Sequence, residues 1–155
     1  MKNVLVVGSS NTDMIIRVPH IPRPGETILG GDFSMAAGGK GANQAVAAAR
    51  AGGRVTFVGR VGDDLFGRQA LEGFVRDGIG TRFVLATPGA ASGIALITVD
   101  ERGENSISVA SGANALLSVA DVEAAGDAFA AADIVLLQLE SPLETVEAAI
   151  RAAKE

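Results

Sequence analysis

The sequence predicts an α/β fold, a parallel sheet flanked by helices on both faces, with a small antiparallel β lid attached. Three observations lead there. Short runs rich in Val, Leu and Ile at residues 2–7, 54–61 and 134–139 alternate with segments of helical period, the pattern of strands buried on both faces. Two stretches of strand character, 14–18 and 27–29, are separated by Pro19, Pro22, Pro24 and Gly25, a density of proline that no central strand accepts. Residues 94–99 and 106–110 are joined by the polar, glycine-containing link 100–105, which reads as a hairpin.

Taken in order, residues 2–7 form a buried strand that ends in the turn Gly8-Ser9-Ser10, and Asn11-Thr12-Asp13 follows. The proline-bounded strands 14–18 and 27–29 project from the main sheet. Residues 42–51 form an alanine-rich helix that Gly52-Gly53 ends, and 54–61 is the second core strand. Asp63 is placed to cap a helix running to about Asp77, with Phe66, Ala70, Leu71, Phe74 and Val75 on its buried face. Residues 81–86 form a third strand before the turn Thr87-Pro88-Gly89. Past the hairpin, Ser118 and Asp121 make a capping box for a helix over 119–130. Residues 134–139 form a further buried strand. Ser141-Pro142-Leu143-Glu144 then starts a helix that runs to the end of the sequence at residue 155 and buries Leu143, Val146, Ile150 and Ala153. In a doubly covered sheet this helix leads to another parallel strand, and the sequence stops before one.

Composition excludes several functions. The 155 residues suit one domain, with 48% hydrophobic and 20% charged residues and a net charge of -5. An acidic chain without a basic run argues against a nucleic-acid surface. With no cysteine there is no disulfide framework, thiolate nucleophile or cysteine metal site, and no His/Asp/Glu spacing suggests a caged metal. The apolar run 4–7 is too short for a signal peptide or a membrane span, which leaves the cytoplasm as the expected location. The single histidine, His20, stands in Val18-Pro19-His20-Ile21-Pro22 and reads as an exposed residue rather than as a triad member.

The chemistry centres on Ala37-Gly38-Gly39-Lys40-Gly41-Ala42-Asn43-Gln44, a glycine-rich turn that enters a helix. No packing use is visible for its glycines, whereas close approach to a ligand and the unpaired N–H groups of a helix start would use them. It is not a Walker loop, because Gly41 follows Lys40 and Ser34 stands at the first glycine position. A tight turn that merely starts a helix is the plainer account of it, and Lys40 and Asn43 add modestly to the binding reading. Ligands of open parallel sheets bind at the carboxyl ends of the strands, where Asn11 to Asp13, Gly38 to Asn43 and Glu140 meet. Such donors and acceptors suit the hydroxyls of one polyol. Each has an alternative: Asn11 and Asp13 as turn formers, Glu140 as the complement of the next helix dipole, and Asp63-Asp64 as caps rather than paired catalytic acids.

These motifs resemble one family. Gly8-Ser-Ser-Asn11-Thr-Asp13, Gly38-Gly-Lys-Gly-Ala-Asn43-Gln-Ala-Val-Ala-Ala-Ala-Arg50, Val61-Gly-Asp-Asp64, Ser111-Gly-Ala-Asn114 and Leu137-Gln-Leu-Glu140-Ser-Pro-Leu-Glu144 are similar, in register along the whole chain, to the ribokinase-like members of the pfkB carbohydrate kinases. The resemblance implies the N-terminal half of a Rossmann-type ribokinase fold, spanning 1–155 as one substrate-binding part. It implies ATP-dependent phosphorylation of D-ribose to ribose 5-phosphate. Asn11, Thr12 and Asp13 would bind ribose hydroxyls, Gly39, Lys40, Gly41, Ala42 and Asn43 would enclose the sugar, and Glu140 would complete the site. Residues 14–36 and 92–110 would form the lid, through which two subunits join as a homodimer.

The resemblance also places the ATP pocket, the Mg2+ and monovalent-cation (K+) sites and the general-base aspartate in a C-terminal half outside this sequence. No catalytic residue is therefore expected here, and the chain alone is expected to lack activity. Ala124-Ala125-Gly126-Asp127 approaches the family's Gly-Ala-Gly-Asp motif but falls at the end of a predicted helix, where no anion hole forms. Two other readings stand beside this one: a non-catalytic sugar-binding or assembly module, and a related sugar or nucleoside kinase with a different substrate. A dinucleotide-binding oxidoreductase domain is disfavoured, since residues 8–13 lack Gly-x-Gly-x-x-Gly.

Overall fold

The computed structural model describes residues 1–154. Four strands, β1 (Asn3–Val7), β4 (Arg54–Gly62), β5 (Gly80–Thr87) and β8 (Ile134–Leu137), form a parallel sheet in the order β5-β4-β1-β8. Successive residues of β1 point to opposite faces, so each face has its own core. Val4 and Val6 pack with Val55, Phe57 and Val84 under α1 (Lys40–Arg50) and α2 (Leu65–Arg76), where the Phe57 and Phe74 rings meet edge to face at 5.1 Å. Leu5 and Val7 pack on the other side with Leu117, Val122, Phe129 and Ala149, contributed by α3 (Val119–Ala124), α4 (Gly126–Ala131), α5 (Leu143–Ala152) and the 3-10 turn Gly112–Leu116 with its cap.

A second four-stranded sheet stands apart, in the order β3-β2-β6-β7, built from β2 (Asn11–Arg17), β3 (Phe33–Gly38), β6 (Gly93–Val99) and β7 (Asn105–Ala110). It is the predicted lid, with two corrections. The sheet is mixed rather than antiparallel, because β2 and β6 run parallel at its centre. Its first hairpin partner is β3 at 33–38, not the predicted 27–29, which has no strand structure. Phe33, Met35 and Ala37 alternate with Ser34, Ala36 and Gly38, and pairing to β2, not intrinsic propensity, makes this Ala- and Gly-containing stretch a strand.

The polar residues Asn11, Thr12 and Asp13 begin β2 instead of forming a turn. Asp64, not Asp63, caps α2 by accepting from the Gly67 N–H at 2.8 Å. Val75, predicted buried, is 64% exposed. The capping box of Ser118 and Asp121 is present, but the helix over 119–130 is broken at Ala125, so Gly126-Asp127 opens the six-residue α4 instead of closing a helix. Asp127 is exposed there and pairs with Arg82 on the surface. Pro142, not Ser141, is the cap residue of α5, which buries Thr145, Val146, Ala148 and Ala149 and leaves Leu143 and Ile150 exposed. The rotation follows from the Thr145 hydroxyl, which donates to the Leu117 carbonyl at 2.7 Å, and from small alanines that let the helix sit close to the sheet. Residue 155, where the predicted helix ends, lies outside the described residues. His20 is exposed as expected and meets Glu26 at 3.0 Å.

Candidate sugar site

The site forms where the main sheet hands over to the lid. β1 ends at Val7, the chain passes through Gly8-Ser9-Ser10, and β2 carries Asn11 and Asp13 onto one face of the lid while Thr12 points to the other. The glycine turn lies directly on this crossing. Gly39 has φ 89°, and a Cβ on it would stand 2.8 Å from the Asn11 nitrogen and 2.9 Å from the Ser10 Cα. A Cβ on Gly41 would be 2.7 Å from the Ser9 nitrogen. These glycines therefore have a packing role that the sequence did not reveal: they let two backbone segments touch.

The start of α1 also differs from expectation. Its first N–H groups are occupied by the protein itself: Lys40 N–H donates to Glu140 Oε2 at 3.1 Å, Ala42 N–H to the Ser9 carbonyl at 2.9 Å, and Gly41 N–H is 3.4 Å from Ser9 Oγ. With those donors engaged, the turn is no ready anion cradle. Glu140 complements α1 rather than the helix that follows it in sequence. It also accepts from the Ser9 hydroxyl at 2.7 Å and forms an ion pair with the Lys40 ammonium.

Burial disfavours the ionised Glu140, yet the bonds from Lys40 and Ser9 outweigh it and hold this carboxyl below the usual range. Asp13 moves the other way. Burial raises it first, and the charge of Glu140 adds to the effect. Two carboxylates thus face one region under different electrostatic regimes, one matched by a cation and one not. Gly38 is buried beneath Asp13, and a Cβ there would collide with the Asp13 carboxylate.

Asn11, Asp13, Lys40 and Glu140 are brought together with Gly39 and Gly41 as their support. Ala42 is buried in the helix packing, and Asn43 lies exposed on the first turn of α1. Thr12 lines, together with Asn11, Gly38, Ala42, Met35 and Phe66, a cavity of about 280 Å³ between the lid and α1–α2. That cavity contains none of Asp13, Lys40, Asn43 or Glu140, so its volume says nothing about the carboxylate cluster. Sequence reasoning missed Ser9, whose hydroxyl joins Glu140, and it gave no role to Asn114, which bonds Asn11. Both stood within quoted motifs, and only the tertiary pairing shows what they touch.

The lid adds an apolar wall on the same side. In register, Asp13 pairs with Ala36 and Ala95, Ala95 with Val109, and Ile97 with Ile107, so these side chains share the Asp13 face. Carboxylates and amides below an apolar sheet suit a ligand with hydroxyls on its edge and C–H groups on its face.

The profile of the pfkB family carbohydrate kinases matches residues 1–155. The chain belongs to this family. It is 44% identical over 154 residues to a ribokinase of Haemophilus influenzae, covering 99% of this chain and 50% of the relative. A deoxyribokinase of Salmonella typhi is 39% identical over 153 residues, with 99% and 50% covered. The structure of Arabidopsis thaliana ribokinase complexed with ribose and ATP superposes with a TM-score of 0.79 at 33% identity, over 97% of this chain and 51% of that one. The chain spans about half the length of the curated relatives it matches.

Among the described residues no group of three or more His, Cys, Asp or Glu is placed to hold a metal ion. No helix among the described residues is long and apolar enough to cross a membrane.

Proposed function

We propose that this chain is the sugar-binding part of a ribokinase-type, ATP-dependent kinase that phosphorylates D-ribose to ribose 5-phosphate in the cytoplasm. The observation that carries the reading is the convergence of Asp13, Lys40, Glu140 and Asn11 at the root of an apolar lid, with the helix N–H groups that would otherwise attract phosphate already bonded internally. Such a site binds hydroxyls and leaves the phosphoryl donor to other residues. The chain's part in the mechanism is to orient the sugar between carboxylate and amide groups and to exclude water with Ala95, Ile97, Ile107 and Val109. ATP, with Mg2+ and K+, would be held by residues that a full-length enzyme supplies outside 1–155.

Phosphoryl transfer depends on positioning and on charge stabilisation at the γ-phosphate, and Lys40, the cation of this site, is committed to Glu140. The isolated chain is thus expected to bind ribose weakly and to turn over no ATP. A coupled assay of the purified chain tests this: ribose-dependent ADP release that Asp13→Ala abolishes would overturn it. The kinship to a deoxyribokinase supports a second substrate reading, and parallel titrations with D-ribose and 2-deoxy-D-ribose separate the two, tighter ribose binding being the expected result.

Two chains are proposed to associate through their lids. All of β7 is exposed, and Ile107 and Val109 keep 51% and 57% of their surface accessible.

A further inference from the structure

Asn114, in the 3-10 turn after the lid's last strand, is only 3% exposed. Its side-chain hydrogen bonds all go to the point where β1 passes into β2. Oδ1 accepts from the Ser10 N–H at 2.9 Å, while Nδ2 donates to the Ser10 carbonyl at 3.1 Å and to Asn11 Oδ1 at 2.8 Å. A carboxamide can in general be turned end for end, but here its polarity is set by a backbone N–H, which only donates. Asn114 must place its oxygen there, so its NH2 group faces Asn11, and Asn11 must answer with oxygen. One backbone donor thereby orients two side-chain amides in series. A Cβ on Gly93 would collide with both Asn11 Oδ1 and Asn114 Nδ2, so the missing side chain at position 93 is what allows the two amides to meet.

We propose that Asn114 is a positioning residue of the sugar site: by occupying Asn11 Oδ1 it keeps the Asn11 NH2 group as a donor to a sugar hydroxyl. The inference rests on the ribose reading above. A hydroxyl has one proton, and ionised carboxylates only accept. Each sugar hydroxyl that gives its proton to Asp13 or Glu140 can accept only from another group, and one of the three N–H donors of the Lys40 ammonium is taken by Glu140. Asn11 with its NH2 outward supplies that donor, whereas Asn11 reversed would add one more acceptor.

The test uses the 155-residue chain labelled with 15N-asparagine, with D-ribose as probe. In the wild-type chain the Asn114 side-chain amide should exchange slowly with solvent and that of Asn11 rapidly. Asn114→Asp keeps the acceptor for Ser10 but turns an oxygen toward Asn11, so the Asn11 amide should become protected and D-ribose affinity should fall roughly tenfold. Gly93→Ala, which removes no polar group, should weaken ribose binding in the same direction. If the variants do not fold, the wild-type exchange pattern still decides, since a protected Asn11 amide beside a freely exchanging Asn114 amide overturns the proposal. Equal ribose affinity in the wild type and a folded Asn114→Asp variant also overturns it, and leaves the ribose reading standing. If saturating D-ribose moves neither the backbone nor the side-chain signal of Asn11 in the wild type, the ribose reading itself fails and takes this role of Asn114 with it.

Discussion

Glu140 and Asp13 show how one fold separates two carboxylates. The Glu140 carboxyl is pulled down by Lys40 and Ser9 against its burial, so its ionised form contributes stability that is complete above the unfolded-state value and is lost as pH falls through the depressed folded value. Asp13 has the opposite sign. Its raised folded value favours the protonated form, so its contribution is fully present below the unfolded-state value and is lost as pH rises through the folded one. Carboxyl-carbon NMR titration should find Asp13 above and Glu140 below their ordinary ranges. In Glu140→Gln the Asp13 value should drop, because one of its two causes is removed; an unmoved Asp13 would show that the two groups do not share a site. In a full-length version of this sequence, Asn43→Ala and Glu140→Ala should each weaken ribose binding by about 1–3 kcal/mol with ATP affinity little changed. Calorimetric titration with each ligand checks this, and equal losses for sugar and nucleotide would indicate folding damage instead.

At the scale of elements, the lid is fastened to the main sheet by one aspartate used twice. Asp64 caps α2 through Gly67 and, with the same carboxylate, accepts from the Ser92 N–H at 2.8 Å and the Ser92 hydroxyl at 2.6 Å, directly before β6 begins. Ser92 in turn accepts from the Gly62 N–H at 3.0 Å. Asp64→Asn preserves a cap of similar quality but sets an NH2 group against a backbone donor. It should cost about 1–2 kcal/mol and raise hydrogen exchange across 92–99 while β1 and β4 stay protected. Uniform loosening of both sheets would mean that Asp64 acts only as a helix cap. The Arg60–Asp121 pair fastens α3 to β4 in the same way, with two bonds of 2.7 and 2.8 Å. Arg60→Ala leaves a mostly buried carboxylate unmatched and should lower stability by about 2–3 kcal/mol, as read from the urea midpoint. The loss should be largest at neutral pH and shrink in acid, because Asp121 is held below its ordinary range and its contribution disappears as pH falls through that depressed value.

At the scale of the molecule, two exposed apolar clusters bear on assembly. The lid exposes Phe33, Met35 and Leu96 on one face and Ile107 and Val109 on the other, and near the β8 edge of the main sheet Ile134, Leu139, Leu143 and Ile150 are exposed. A strand paired on one side only and an apolar lid both invite association. The chain should therefore sediment as a dimer or larger assembly, and a monomer at high concentration would refute this. Ile107→Lys with Val109→Lys should dissolve a lid-mediated dimer and leave association at the β8 edge largely intact.

Much of this was legible in the sequence, and the limits have physical causes. Strand and helix alternation marked the parallel sheet, because burial on both faces demands continuous apolar runs. The prolines marked the lid, because they cannot donate in a ladder. Gly38 to Asn43, Asn11 to Asp13 and Glu140 were recognisable by their residue types and their places after strands. Local spacing could not show that β3 lies at 33–38, since an Ala- and Gly-containing strand exists only through its partner. Nor could it orient α5, whose closest packing is through alanines and the Thr145 bond to Leu117. The site divides in the same way. Sequence by itself determined that Asn11, Asp13 and Glu140 lie near strand ends, because that depends on chain order and periodicity, but it did not separate from them Thr12, which faces the other side of the lid, or Asn43, which lies exposed on α1. Tertiary structure alone decided that Ser9 and Lys40 occupy Glu140, that Asn114 orients Asn11, and that Gly39 and Gly41 serve backbone contact, because each depends on atoms far apart in sequence meeting within about 3 Å.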